Sequence, residues 1–243
     1  MIKPYWQDES GNIQIYNADC MDVLTDMPDK SVDLVLTDPP YGINYLSPWT
    51  NNHAKIENDE IGDWTDLMEK VLPEFKRIIT DSGCCCCCCC GGGKTPVTAL
   101  FTIEAIKHFN LIQTLVWRKF IGLGWKYRPA YENILILSKS KNDYNFYDTS
   151  KTCSNVFEGI NQDIPNAEEH PTQKPVKLMQ RLLKIHSIEN YLVLDPFLGG
   201  GSTAEACAIM KRRCIGIEIS KEYCDIAIKR VIESQKQYEL DGI

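Results

Sequence analysis

Several things are missing from this chain of 243 residues. No apolar run approaches the ~20 residues of a membrane-spanning helix. Residues 1–8, Met1-Ile2-Lys3-Pro4-Tyr5-Trp6-Gln7-Asp8, hold no apolar signal-peptide core, so export is not expected. There is no excess of positive charge: Lys and Arg number 26 against 33 Asp and Glu, a net charge of -7. That disfavours a protein that coats nucleic acid indiscriminately, although it is compatible with a local basic face. Cysteine is plentiful, at 12, but spaced CxxC pairs are missing. Seven cysteines are consecutive, Cys84 to Cys90, and the others stand alone at 20, 153, 207, 214 and 224. Adjacent cysteines rarely meet disulfide geometry, so a reducing, cytoplasmic setting is expected. The length suits one α/β domain, residues 1–243, with a large core.

What is present centres on Thr37-Asp38-Pro39-Pro40-Tyr41-Gly42. Val32-Asp33-Leu34-Val35-Leu36 reads as a buried parallel strand, and ligands of open α/β sheets bind beyond the carboxyl ends of such strands. Two successive prolines remove two N–H donors and force extended conformations before them. Asp38 and Tyr41 are therefore expected on a stiff turn whose backbone carbonyls face outward as acceptors. A carboxylate and a carbonyl together can accept both hydrogens of an exocyclic base amine and turn its lone pair toward an electrophile. A neighbouring aromatic ring can stack on the base. The competing reading is an ordinary turn, since Asp and Pro are common turn residues.

A second constellation lies near the other end. Tyr191-Leu192-Val193-Leu194-Asp195 reads as a buried strand, followed by Pro196-Phe197-Leu198-Gly199-Gly200-Gly201-Ser202-Thr203 and a helix from Ala204 to Met210. Glycines let a backbone turn tightly against a ligand at a helix start. The next strand, Cys214 to Glu218, ends in an acid, which commonly binds ribose hydroxyls at that place. The turn is not G-x-G-x-x-G, and Asp195 replaces a phosphate-cradling glycine, which favours a cofactor without a pyrophosphate. A generic βα turn is the alternative. Lys174, in His170-Pro171-Thr172-Gln173-Lys174-Pro175, precedes the amphipathic helix Val176 to Ile185, where it could hold a carboxylate; read alone it is part of a capped helix start. Asp19 ends an alternating strand, Ile13 to Asp19, and read alone is a helix cap for Met21 to Met27.

Between these lie segments with open readings. Residues 43–62 form a long polar loop, either a substrate loop or disorder. Trp64 to Ile79 has helical spacing with Pro73 inside, and Asp81-Ser82-Gly83 reads as a turn. The cysteine run cannot be one metal site, because alternate side chains of an extended segment face opposite ways. No metal is expected. It is not a P-loop either, since position 88 is Cys88 where glycine is needed and Pro96 follows closely. A strand buried on both faces remains, with cysteine as a small hydrophobe. Val97 to Phe109 reads as a helix, and strands at 111–119 and 131–140, joined without one, suggest an antiparallel pair. Their connector offers Lys119, Lys126 and Arg128 for phosphates and Trp125 and Tyr127 for stacking, or is a solvated tip. Residues 142–169 read as irregular, without a core pattern, and are the only room for a short target-recognition insert. Lys221 to Tyr238 is a last helix.

Assembled, these motifs resemble the β-group S-adenosylmethionine-dependent DNA amino-methyltransferases. Asp38-Pro39-Pro40-Tyr41 is similar to their catalytic motif, Asp195 to Thr203 to their cofactor motif and His170 to Pro175 to the segment before it. The catalytic motif comes first, which is the permuted order. The resemblance implies a Rossmann-like, seven-stranded, mostly parallel α/β sheet with one antiparallel strand. It implies that Glu218 binds the ribose of S-adenosylmethionine, and that Asp195, Phe197, Gly199 and Gly201, with Ser202 and Thr203, line the cofactor. Thr172 and Lys174 would meet its methionine end, Asp19 and Cys20 its adenine. Asp38, Pro39, Pro40 and Tyr41 would hold the target base. Aspartate at the head of the tetrad resembles the adenine-N6 members acting on double-stranded DNA. Cytosine-N4, RNA and a catalytically silent partner subunit are the alternatives. The small insert also makes a homodimer a candidate arrangement for target reading.

Overall fold

The computed structural model describes residues 2–40, 61–89, 97–119, 128, 130–160 and 173–241. The expectations for Tyr41, Thr172, residues 43–60 and the connector at 120–127 fall outside the described residues. The strands are β1 (Trp6–Gln7), β2 (Ile13–Asn17), β3 (Val32–Thr37), β4 (Ile79–Cys89), β5 (Asn110–Arg118), β6 (Tyr131–Ser138), β7 (Val156–Phe157), β8 (Leu192–Asp195) and β9 (Arg213–Glu218). The helices are α1 (Cys20–Leu24), α2 (Ile61–Ile78), α3 (Val97–Ala105), α4 (Val176–His186), α5 (Ser202–Ile209) and α6 (Lys221–Asp241). The strands form one sheet in the order β1-β2-β9-β8-β3-β4-β6-β5-β7.

Seven of these strands match the expected sheet, with β6 antiparallel to both β4 and β5. The two additional strands, β1 and β7, are two residues long, too short for a period-2 pattern to show in sequence. Helices α4, α5 and α6 cover one face, through Leu178, Leu182, Ala204, Cys207, Ala227 and Val231. Helices α1, α2 and α3 cover the other, through Leu24, Met68, Leu72, Phe75 and Phe101. Burial on both sides is why β3 is apolar nearly throughout: Leu34 and Leu36 face the first layer, Val32 and Val35 the second.

The cysteine strand divides as its pleat requires. Cys84, Cys86 and Cys88 pack into the α4–α6 layer, and Cys85 and Cys87 into the α1–α3 layer. Burial pushes the Cys84 thiol up to about 12, so it stays protonated at neutral pH. Upstream, the expected turn at Asp81-Ser82-Gly83 is part of β4. The register runs from Val32 opposite Ile79 to Leu34 opposite Cys84, so the turn-forming residues are absorbed as extra length in β4. A side chain on Gly83 would lie 2.9 Å from Thr80 Oγ1 and 3.0 Å from the Asp33 carbonyl. Pro73 sits inside α2, which continues through it.

Residues 142–160 are mostly irregular and exposed, as expected, but a few of them anchor the segment to the core. Asn145, Phe157 and Ile160 are buried, β7 pairs with β5, and Trp117 Nε1 donates to the Ile160 carbonyl at 2.9 Å. The Arg181 guanidinium stacks 3.9 Å from the Phe157 ring centroid. Isolated apolar residues anchored by such contacts carry no periodicity. Among the described residues no helix is long and apolar enough to cross a membrane. The burial of β4 has a chemical consequence: alkylation of the native protein should mark half-exposed Cys153 while Cys84 to Cys88 react only in denaturant. Peptide mass spectrometry before and after urea addition reads this directly, and native labelling of Cys84–Cys88 would contradict a two-face-buried strand.

Candidate active site

β2, β9, β8 and β3 are parallel neighbours, so their carboxyl ends share one edge of the sheet. Asp19, Glu218, Asp195 and Asp38 stand at those ends in that spatial order. Asp19 accepts a hydrogen bond from the Met21 N–H at 2.8 Å and caps α1, the role its sequence context suggested on its own. Cys20 follows, buried, with its thiol pushed up to about 12 by burial and by Asp19.

The glycine turn between β8 and α5 is held from three sides. Gly199 and Gly201 have φ of 51° and 88°, the left-handed region that favours glycine. The Gly199 N–H donates to Glu218 Oε2 at 2.8 Å, while the Ser220 N–H donates to Glu218 Oε1 at 2.8 Å. Gly201 lies against α6 so closely that an added Cβ would sit 2.5 Å from the Ala227 Cβ. Asp195 is buried, and its Oδ1 accepts from Thr37 Oγ1 at 2.7 Å and from the Phe197 N–H at 3.1 Å. Burial raises its pKa to about 6, against the opposing hydrogen bonds from Thr203, Thr37 and Phe197. Ser202 and Thr203, expected beside the cofactor, point inward: Ser202 donates to the Lys174 carbonyl at 2.7 Å and Thr203 bonds Asp195. Phe197 and Gly199 remain half-buried on the turn.

Beyond β3, Pro39 is buried and Asp38 and Pro40 are half-buried. Lys174 Nζ lies 2.6 Å from Asp38 Oδ2 and 3.4 Å from Glu132 Oε2. Lys119 Nζ donates to the other Glu132 oxygen. Burial works against the Lys174 charge, but Asp38 and Glu132 outweigh it and hold the ammonium above its usual pKa. Burial likewise opposes ionisation of Glu132, and Lys174 and Lys119 outweigh that and hold its carboxyl below the usual range. The result is an alternating chain, Lys119–Glu132–Lys174–Asp38. Lys119, expected to meet phosphate, pairs with Glu132 and lies 5.9 Å from the Trp117 ring centroid. Glu132 was not among the sequence candidates. Its one signal is an acid just ahead of an apolar strand run, in Tyr131-Glu132-Asn133-Ile134-Leu135.

A family model for DNA methylases, of the N6/N4 type, matches residues 32–229. The chain belongs to this DNA methylase family. Type II methyltransferase M.HpaI of Haemophilus parainfluenzae is 26% identical over 88% of this chain and 72% of its own length. DNA adenine methyltransferase YhdJ of Escherichia coli (strain K12) is 27% identical over 89% of this chain and 82% of its own. Among solved structures, the M1.HpyAVI–SAM complex has a TM-score of 0.67 at 27% identity, covering 90% of this chain and 99% of that one. The cytosine-N4-specific PvuII DNA methyltransferase has a TM-score of 0.77, covering 98% of this chain and 94% of its own. At 18% identity it speaks for the fold alone. Ligands of open α/β sheets bind beyond the carboxyl ends of the strands, the edge that carries Asp38.

Two measurements probe the glycine turn and Asp195. Gly201→Ala should destabilise by about 2–4 kcal/mol in urea unfolding, from a strained φ and a clash with Ala227. Asp195 holds its proton more tightly folded, at about 6, than unfolded, so folding takes up a proton and the native state is favoured at low pH. That contribution is lost as pH rises from about 4 to about 6. Asp195→Asn should therefore gain roughly 2 kcal/mol relative to wild type between pH 4 and pH 7. A pH-independent difference would show that Asp195 titrates normally.

Proposed function

We propose that this protein transfers a methyl group from S-adenosylmethionine to the N6 of an adenine flipped out of double-stranded DNA. The observation that carries this reading is Asp38, half-buried just beyond the carboxyl end of β3, with its carboxylate 2.6 Å from the buried Lys174 ammonium.

The donor set of the edge suits the cofactor. Two carboxylates, Asp195 and Glu218, flank the glycine turn, which disfavours a pyrophosphate and suits ribose hydroxyls and a nearby cation. Glu218 would hold the ribose. Phe197 and Gly199 would line the pocket on a turn held from beneath by Asp195 and Gly201, with Asp19 and Cys20 toward the adenine and Thr172 and Lys174 toward the methionine end. When bound, S-adenosylmethionine supplies a methyl carbon activated by its sulfonium.

The chain's own residues prepare the amine. The target base leaves the duplex because its amino group is out of reach inside the stack. Tyr41 stacks on it. Asp38 and the Pro39 carbonyl each accept one amine hydrogen, which turns the lone pair toward the methyl carbon. Asp38 then takes the proton that the amine sheds. Holding the reactants in this geometry supplies a large part of the acceleration. No thiol is needed as a nucleophile, which agrees with the buried cysteines of β4. The free thiols among the described residues also support a reducing, cytoplasmic setting.

Incubation with S-adenosylmethionine and unmethylated duplex DNA, followed by nucleoside mass spectrometry, tests the assignment. N6-methyladenine is expected. N4-methylcytosine would keep the mechanism and overturn the target base, and methylation of structured RNA alone would overturn the substrate. Asp38→Ala should lower transfer by about 10³-fold while S-adenosylmethionine binding, followed by calorimetry, survives. Loss of both together would remove Asp38 from the amine-orienting role.

A further inference from the structure

Glu132 reaches the methyl-transfer edge through topology. β6 runs antiparallel to β4, so its first residues lie where the parallel strands end. An acid at the start of β6 thereby meets an acid just beyond β3. The ladder is continued past β5 by the Lys119 N–H, which donates to the Ala130 carbonyl at 2.9 Å and places Lys119 beside Glu132. The side chain of Glu132 is 9% exposed and that of Lys174 only 5%.

A buried ion chain of this kind is a poor device for stability. Desolvation of each charge offsets most of the attraction, and apolar residues of similar volume commonly do as well. What the chain does provide is geometry. Lys174 is shared between two carboxylates, 2.6 Å from Asp38 and 3.4 Å from Glu132, so Asp38 does not carry the whole ammonium charge. We infer that Glu132 is a positioning residue for methyl transfer, anchored by Lys119 and acting through Lys174 on Asp38. Without the Glu132 charge, Asp38 is the principal counter-charge of Lys174 among the described residues. The carboxylate then follows the ammonium and becomes a weaker acceptor for the base amine.

This rests on the amine-orienting reading of Asp38. The test compares wild type, Glu132→Gln, Glu132→Asp and Lys119→Gln in single-turnover transfer to duplex DNA, alongside S-adenosylmethionine affinity and thermal midpoint. Glu132→Gln keeps the shape and removes the charge, and its rate at saturating cofactor should fall by about 100-fold, the cost of a small misplacement at a reacting centre. Glu132→Asp restores the charge and should recover much of that rate, and Lys119→Gln should lose less than Glu132→Gln. A folded Glu132→Gln with wild-type rate, or an aspartate variant no better than glutamine, overturns the inference. So does a loss confined to cofactor affinity with the saturated rate intact, which would make the chain a cofactor clamp. Should Glu132→Gln fail to fold, Lys119→Gln decides, since the Lys119 side chain is 17% exposed and lies at the far end of the chain: a slowed saturated rate supports the inference and a wild-type rate overturns it. An inactive wild type is a separate result, because it removes the methyl-transfer reading itself, and this inference falls with it.

Discussion

Lys174 brings a positive charge into the protein with almost no exposure to water, and it remains charged because Asp38 and Glu132 face it. Much of the site depends on that arrangement. The ammonium fixes Asp38, the carboxylate proposed to meet the base. The Lys174 carbonyl accepts from Ser202 and so ties the start of α4 to the start of α5. The glycine turn that precedes α5 is in turn clamped by Glu218 at the end of β9. Three strand ends and two helix starts are thus connected through a few short polar contacts, each made between groups that sequence separates widely.

The direction of one strand makes this possible. In a wholly parallel sheet, strand starts and strand ends lie on opposite edges, and an acid opening a strand would sit far from the chemistry. Reversing β6 exchanges its ends. The reversal needs no helical crossover between β5 and β6, and the short hydrogen-bonded approach from Lys119 to Ala130 follows from it.

The glycine turn shows the same economy. Asp195 is buried under the turn and bonded to Thr37, Thr203 and the Phe197 N–H. It therefore couples β8 to β3, the strand that delivers Asp38. Its elevated pKa is the cost of placing a carboxylate there, and the hydrogen bonds recover part of it. Gly201 lets α6 approach the turn to a distance no side chain would permit. Cofactor residues inferred from sequence thus separate into those half-exposed on the turn, Phe197 and Gly199, and those that hold it from beneath, Asp195, Ser202 and Thr203.

The sequence alone determined the strand–turn–helix order, the two-face burial of β3 and β4, and the acids that end β3, β8 and β9. These follow from local properties: apolar runs, proline and glycine placement, and the alternation of side chains along a strand. The same alternation excluded a single metal site at the cysteine run. Tertiary structure alone decided the partners. Lys119 and Lys174 read as surface or helix-start cations, and only the antiparallel placement of β6 brings Glu132 between them. Residues 142–160 looked featureless because their anchors, Asn145, Phe157 and Ile160, are too far apart to make a period. The turn expected at Asp81-Ser82-Gly83 became strand because the ladder to β3 resumes at Cys84 and absorbs the extra length. Hydrogen bonds and ion pairs between distant residues leave no periodic trace in a chain, whereas burial of a strand face does.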